Sequence, residues 1–240
     1  MLQLGTRRWA KNFRSTPLHP QWLLGSRRLL SEWVALHSTG RVLDIGCSDQ
    51  WIAPYLRRSC SYVGLDYPPT GIGLYSSSAD VYADATSLPF ADGCIDTVLM
   101  LDVLEHLRFP RQAMDESFRV LGEEGKLLLS VPFMYPLHDA PHDYQRYTVH
   151  GLIREVEASG FRLRSVKPAL GALHSAGLLL SLSLAGTGLK SIEERHWSVI
   201  FLPLLLFAIP LINICVCLLA RITPSWPAMT AGYILLAVKR

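Results

Sequence analysis

Two short segments constrain this chain more than any other feature. Arg41-Val-Leu-Asp-Ile-Gly46 reads as a buried strand that stops at a glycine, and Ser61-Tyr-Val-Gly-Leu-Asp66 as a second that stops on a carboxylate. Short apolar runs of this kind, bounded by turn residues, suit strands covered on both faces of a parallel sheet. A helix running through Leu56 is expected between them, and the Pro68–Pro69 pair forces a loop after the second.

The alternation continues along the chain. Asp80–Asp84 is a third, shorter strand, Cys94–Leu101 a strongly apolar fourth, Gly125–Val131 a fifth, Phe161–Val166 a sixth and Gly232–Lys239 a seventh. A first helix is predicted from Pro20 to His37 by the spacing of Trp22, Leu23, Leu29, Leu30, Trp33 and Val34, with Gly40 closing it. Asp102 and Glu105 match a capping box, so a helix is expected to open there. Another runs from Pro110 to Leu121, and a further one, capped by Thr148, runs to Ser159. The order predicts an α/β fold: a doubly wound, mostly parallel, seven-stranded sheet whose ligand sits at the carboxyl ends of the strands. Residues 1–32 form a basic and aromatic arm with a helix, 33–168 the core, 169–228 an apolar helical insertion, and 229–240 the closing strand.

Three carboxylates fall at strand ends: Asp44, Asp66 and Asp84. A carboxylate ending the second strand can accept both hydroxyls of a ribose. The turn at Gly46 lets backbone approach a ligand closely, and Asp44 adds negative charge where a sulfonium and an ammonium would rest. Singly, each aspartate is more often a turn or cap residue; the ordered set is much more specific.

Here the chain resembles a known family. Val42-Leu-Asp-Ile-Gly-Cys-Ser48 is similar to the first motif of class I S-adenosylmethionine-dependent methyltransferases, and Val63-Gly-Leu-Asp66 to the second. Asp84-Ala-Thr-Ser-Leu-Pro-Phe90 and Asp96 resemble the third and fourth, and Val103-Leu-Glu-His-Leu107 the helix opening of the type 11 branch. The resemblance implies S-adenosylmethionine as cofactor, with Asp44 and Gly46 on its methionine moiety and Asp66 on the ribose. It places Asp84 and Ala85 on the adenine, and Leu101 and Asp102 on the pocket floor. The chain departs from the pattern at Ser48 and Gln50, where glycines are usual.

The methyl of such a cofactor is already activated, so the protein chiefly orients an incoming nucleophile. The segment after the fifth strand is where an acceptor is expected, and it carries His138, Asp139, His142, Asp143, Tyr144, Arg146 and Tyr147. His142 and His138 are the candidate catalytic residues, weighed against an ordered loop in which Asp143 pairs with Arg146 and Thr148 caps the next helix. His106 reads as structural, and no metal site is expected because no ligand spacing recurs.

The apolar insertion is the least ordinary segment. Val199–Ala220 approaches the length that spans a bilayer core, with Pro203, Pro210 and Asn213 interrupting it, and Leu170–Leu189 is a weaker run before it. With strands on either side in one sheet, the chain leaves and returns together, which excludes a single pass. A hairpin through the bilayer, an in-plane foot, or a buried oligomer contact remain, and the prolines favour a broken, shallow helix. Membrane contact through 169–220 implies a small-molecule or lipid-linked acceptor and a place on the cytoplasmic face of a membrane, with the cytoplasm as the alternative. The net charge of +3 gives no sign of a nucleic-acid partner. Early basic and aromatic residues (Arg7, Arg8, Trp9, Lys11, Arg14, Arg27, Arg28) form a solvated terminus or a membrane-surface contact, and they break the first apolar stretch too often for a signal peptide. Five cysteines in no framework suggest a reducing compartment. Two other functions compete: a methyltransferase-like scaffold without turnover, and a nicotinamide enzyme, which would want three glycines where this turn has one.

Overall fold

In the computed structural model, which describes residues 13–25, 28–72 and 77–240, seven strands make one sheet. They are β1 (Arg41–Ile45), β2 (Ser61–Asp66), β3 (Val81–Tyr82), β4 (Ile95–Leu101), β5 (Leu121–Pro132), β6 (Arg162–Pro168) and β7 (Gly232–Val238). The order is β3-β2-β1-β4-β5-β7-β6. β1 to β5 pair in parallel, and β7 lies antiparallel between β5 and β6. From β1 the chain winds one way through β2 and β3, then the other way through β4 and β5. That reversal puts the switch point, where such sheets bind ligands, between β1 and β4.

Successive side chains on each central strand point to opposite faces, and both faces are covered. Leu43, Val98, Leu127 and Leu235 pack on one side with Ala113 and Met114 of α2 (Pro110–Val120) and Leu152 and Val156 of α3 (Val149–Ala158). Val42, Leu99, Leu128 and Leu236 pack on the other side with Val34 of α1 (Arg28–His37). Each of these buried leucines is worth about 1.5–3 kcal/mol of transfer free energy. Pro110 starts α2, and the Thr148 hydroxyl accepts from Gly151 N at 3.1 Å to cap α3, as the sequence predicts.

Three expected helices differ. The run 20–37 is a single 3₁₀ turn, Trp22–Leu24, followed by α1, because Gly25 takes a φ of 75° between them. The segment after Gly46 holds only a 3₁₀ turn, Ala53–Tyr55, because Ser48 and Gln50 adopt φ of 50° and 52°, which no right-handed helix accommodates. The capping box does not form. Asp102 itself has a φ of 56°, its carboxylate accepts from the Ser130 hydroxyl at 2.9 Å, and only a 3₁₀ turn, Leu104–His106, follows.

The sheet belongs to a unit comprising Leu29–Phe133, Leu137–Ala169 and Gly232–Arg240. A second unit gathers Met1–Arg28, Met134–Pro136 and Leu170–Ala231. It is built on α4 (Ala172–Glu193) and α5 (Leu202–Ile222). Their pairing is antiparallel: a Cβ on Gly177 would stand 2.7 Å from Val216, and Ser181 donates to Asn213 Oδ1 at 3.0 Å. Small residues thus set the seam, as in helix pairs that pack without a hydrophobic drive between them. The Asn213 amide also donates to the carbonyls of Pro17 and His19, at 2.7 and 3.1 Å. α5 is continuous through Pro210, contrary to the broken helix expected. Pro203 falls in the first turn, where no N–H is needed, so Pro210 alone costs the helix a hydrogen bond. Both helices are long and apolar enough to cross a membrane. The basic residues Arg7, Arg8, Lys11 and Arg27, and Trp9, lie outside the described residues.

Candidate cofactor and acceptor site

The carboxyl ends of β1, β2 and β4 carry most of the expected cofactor residues. After β1 the chain turns at Gly46, whose φ is 76°, and its N–H is held by Leu65 O at 2.8 Å. A Cβ on Gly46 would lie 2.5 Å from Val103 Cγ2, so glycine is required by both backbone and space. Asp66 ends β2 nearly buried, with one carboxylate oxygen accepting from Ser48 N at 3.1 Å and the other from Tyr67 N at 2.8 Å. Those bonds fix the plane of the carboxylate and leave a lone pair on each oxygen. Ser48 therefore does a turn glycine's work: it holds the left-handed backbone and gives its N–H to Asp66.

Asp44, one strand over, is 3% exposed and accepts from the Tyr62 hydroxyl at 2.7 Å. Burial pushes its carboxyl up to about 7, the Tyr62 bond pulls it down, and the like charge of Asp66 raises it further. Asp44 and Asp66 are thus brought together, and among the described residues no basic side chain pairs with either. A sulfonium and an ammonium are cations, and the Gly46 cradle admits no Cβ, so these residues fit S-adenosylmethionine.

Four further candidates complete the expected set. Asp84 is exposed and accepts from both the N–H and the hydroxyl of Thr86, at 2.8 and 2.7 Å, an Asx turn. Ala85 packs in the sheet core. Leu101 is half-buried at the end of β4, and Asp102 is exposed and tied to Ser130.

The segment 137–147 folds over the turn that follows β4. Tyr144 N donates to Glu105 O at 2.9 Å, and the Gln145 amide donates to the carbonyls of Leu104 and Leu107 at 2.6 and 2.9 Å. Asp143 and Arg146 form a two-pronged ion pair, which holds the Asp143 carboxyl down at about 2. His138 receives support from the same carboxylate: its N–H donates to Asp143 Oδ2 at 3.0 Å, and its ring Nδ1 stands 3.3 Å from it. His142 has its ring Nδ1 3.4 Å from the Tyr144 hydroxyl and its carbonyl 2.7 Å from His106 Nδ1. His106 and His138 meet edge to face, ring centres 4.8 Å apart.

Sequence reasoning missed Glu105. Read as a cap, it is a fully buried carboxylate with neither oxygen hydrogen-bonded. Desolvation first, then the charge of Asp102, hold its carboxyl well above the usual range, while Arg146 draws it down. Only its place beside a histidine, close after an apolar strand, could have marked it. Tyr62 was also missed; it pairs with Val42 on β1 and reaches Asp44 diagonally, a relation visible only once the register is known.

Residues 43–129 match a family described as a methyltransferase domain. A probable S-adenosylmethionine-dependent methyltransferase of Mycolicibacterium smegmatis is 30% identical over 151 residues, 57% of this chain and 56% of that one. A demethylmenaquinone methyltransferase of Clavibacter sepedonicus is 30% identical over 120 residues, 48% of each chain. The chain thus spans about half the length of these curated relatives. A solved S-adenosylmethionine-dependent methyltransferase from Archaeoglobus fulgidus superposes with a TM-score of 0.55 over 91% of this chain and 97% of that one, at 17% identity, a likeness of fold. The motif order, the buried aspartate pair and the switch-point geometry agree with these matches: residues 43–129 are similar to a methyltransferase domain, and the chain has the fold of S-adenosylmethionine-dependent methyltransferases.

Proposed function

We propose that the protein methylates an amphipathic acceptor drawn from the lipid phase, held at the cytoplasmic face of a membrane by the α4–α5 hairpin. The observation that carries this reading is the polarity of the hairpin. Four polar side chains of its middle and seam, Ser175, Ser181, Ser191 and Asn213, are buried, while Leu204, Leu206, Phe207, Leu211, Leu218 and Ile222 are exposed; Ser183, Thr187 and Lys190 of α4 are exposed as well. A hairpin facing water has the reverse arrangement; one facing hydrocarbon hides its polar groups in this way. β6 leads into the segment and its sheet neighbour β7 leads out, so the excursion is an even number of passes or a dip.

The cofactor supplies a methyl group on a sulfonium. The protein's own residues supply the rest: Asp44 and Gly46 receive the methionine end, Asp66 the ribose, Asp84 and Ala85 the adenine, and Leu101 with Asp102 the floor. Within the segment 137–147, His142 and His138 stand as candidates to take a proton from an acceptor hydroxyl. The Clavibacter relative is named for a prenylated quinone precursor, and that class of acceptor, a ring on an isoprenoid tail, suits a hairpin in lipid.

The test uses the full chain expressed in membranes. Flotation of the chain with vesicles, and transfer of methyl label from S-adenosylmethionine into organic-extractable lipid by wild type but not by Asp66→Ala, would support the reading. A chain that stays in the aqueous fraction without detergent and labels no lipid overturns it. A second reading, a scaffold without turnover, is favoured by Ser48 and Gln50, which hold left-handed backbone where glycine is usual. Cofactor binding by the wild type counts against it.

A further inference from the structure

We propose that Glu105, His106 and His138 form a binding site for a divalent metal ion of the zinc type, separate from the cofactor residues, which leaves His142 as the candidate base when the site is loaded. The three come from two places in the sequence: the 3₁₀ turn after β4 supplies Glu105 and His106, and the segment after β5 supplies His138. One ligand atom from each lies within 4.8 Å of the others. Ligand atoms on a tetrahedral zinc bonded at about 2.0–2.1 Å stand about 3.4 Å apart. Loading therefore draws the groups together by about 1 Å, which rotation of the half-exposed His138 ring can supply.

Three independent features point to a cation. First, Glu105 is fully buried and neither of its oxygens has a hydrogen-bond partner. A buried carboxylate left in that state costs several kcal/mol unless it is neutralised or paired. Its nearest cationic candidate within the turn is His106 Nε2, at 3.6 Å from Oε1. Second, each histidine has its Nδ1 close to an oxygen, which leaves Nε2 as the atom to offer a metal. His106 Nδ1 lies 2.7 Å from the His142 carbonyl, which takes the ring proton there and leaves Nε2 with its lone pair. His138 Nδ1 stands 3.3 Å from Asp143 Oδ2, and Asp143 is itself fixed by Arg146. An outer carbonyl and an outer carboxylate, each orienting an imidazole, is the usual support of metal-bound histidine. Third, the local charge is negative. Asp102 and Asp143 act on Glu105 with its own sign and Arg146 offsets them in part, so a doubly charged ion brings the cluster closer to neutrality.

Two imidazoles and one carboxylate form a ligand set taken by zinc with an open fourth position, and also by ferrous iron. Zinc heads that pair in affinity for nitrogen donors. The open position would take an oxygen ligand, either water or a hydroxyl or carbonyl compound. Sequence spacing gave no sign of the set because the ligands are joined only by the fold of 137–147 over the turn.

The test is metal binding itself, read without any activity. The full chain, purified in detergent and stripped with a chelator, is titrated with cobalt(II), and zinc is then used to displace it. The expected result is a single equivalent of cobalt with a ligand-field absorption band, bleached by zinc. His138→Ala is expected to lose the band and weaken affinity by about 100-fold or more, and Asp143→Asn by roughly 10–100-fold through the outer partner. Circular dichroism checks that each variant is folded; if His138→Ala is not, His138→Gln serves in its place. No cobalt uptake by folded wild type overturns the proposal, and so does uptake that the His138 variant leaves unchanged.

Discussion

Replacing Asp44 with asparagine is expected to make the cofactor-free protein more stable above neutral pH while removing its grip on S-adenosylmethionine. The carboxyl is 3% exposed, and burial raises it from 3.8 to about 7. At about 1.4 kcal/mol for each tenfold change in proton affinity, that rise corresponds to about 4 kcal/mol of cost for keeping the group ionised in the fold. The sign follows from linkage. A carboxyl whose folded value lies above its unfolded value favours the folded state at acid pH, and that contribution is lost as pH rises from 3.8 to about 7. Asparagine escapes the cost at every pH, and its Oδ1 still accepts from the Tyr62 hydroxyl that now bonds Asp44. In a chain of this size about 4 kcal/mol moves the midpoint by on the order of 10 °C. Thermal unfolding of wild type and Asp44→Asn, in the same detergent at about pH 8 and about pH 4, measures it. The variant is expected to melt well above wild type at the higher pH, with the gap mostly closed at the lower. An equal gap at both values, or none at the higher, refutes the assignment of the strain to an ionised Asp44.

With the methionine end on Asp44 as proposed, the same group is expected to make cofactor affinity depend on pH. Below about 7 a cationic ligand must displace the Asp44 proton, so the dissociation constant for S-adenosylmethionine is expected to rise about tenfold for each further pH unit, with proton release measurable by calorimetry in buffers of different ionisation heat. Gly46→Ala is expected to cost about 1–3 kcal/mol from its left-handed backbone, with more from the contact with Val103, and to weaken cofactor binding; an unchanged melting midpoint and dissociation constant count against the cradle. Asn213→Leu leaves the Ser181 hydroxyl and the carbonyls of Pro17 and His19 without their partner, each worth about 1–3 kcal/mol when buried, so the second unit is expected to become more sensitive to protease in detergent.

The sheet was legible because its evidence is local and repeated. Val42-Leu43, Val98-Leu99-Met100 and Leu127-Leu128-Leu129 are apolar without a break because each strand is covered on both faces. Strand ends were equally plain where a carboxylate or glycine stopped the run, which is why the ends of β1 at Gly46 and of β2 at Asp66 could be placed from sequence. Failures came where a local pattern was overruled by a backbone conformation that the residue type does not announce. Asp102, Ser48 and Gln50 all adopt left-handed backbone, and each defeats a helix that periodicity or capping rules would place there. Glu105 and Tyr62 failed for another reason. Their importance comes from what crosses above or beside them, and neither partner is near in sequence. The pairing of Asp143 with Arg146 and the cap at Thr148 succeeded because both lie within one turn of chain.

β7 follows the apolar hairpin in sequence, yet it fills the slot between β5 and β6 in the sheet. Until it arrives, β5 and β6 each keep an edge of unpaired backbone groups where β7 pairs. As the chain is synthesised, the hairpin emerges while its host sheet is still unfinished, and the sheet closes only afterwards around a strand drawn from beyond it. Assembly and delivery are therefore ordered: the apolar segment reaches its surroundings first, and the folding of the rest acts as the latch that holds both of its ends.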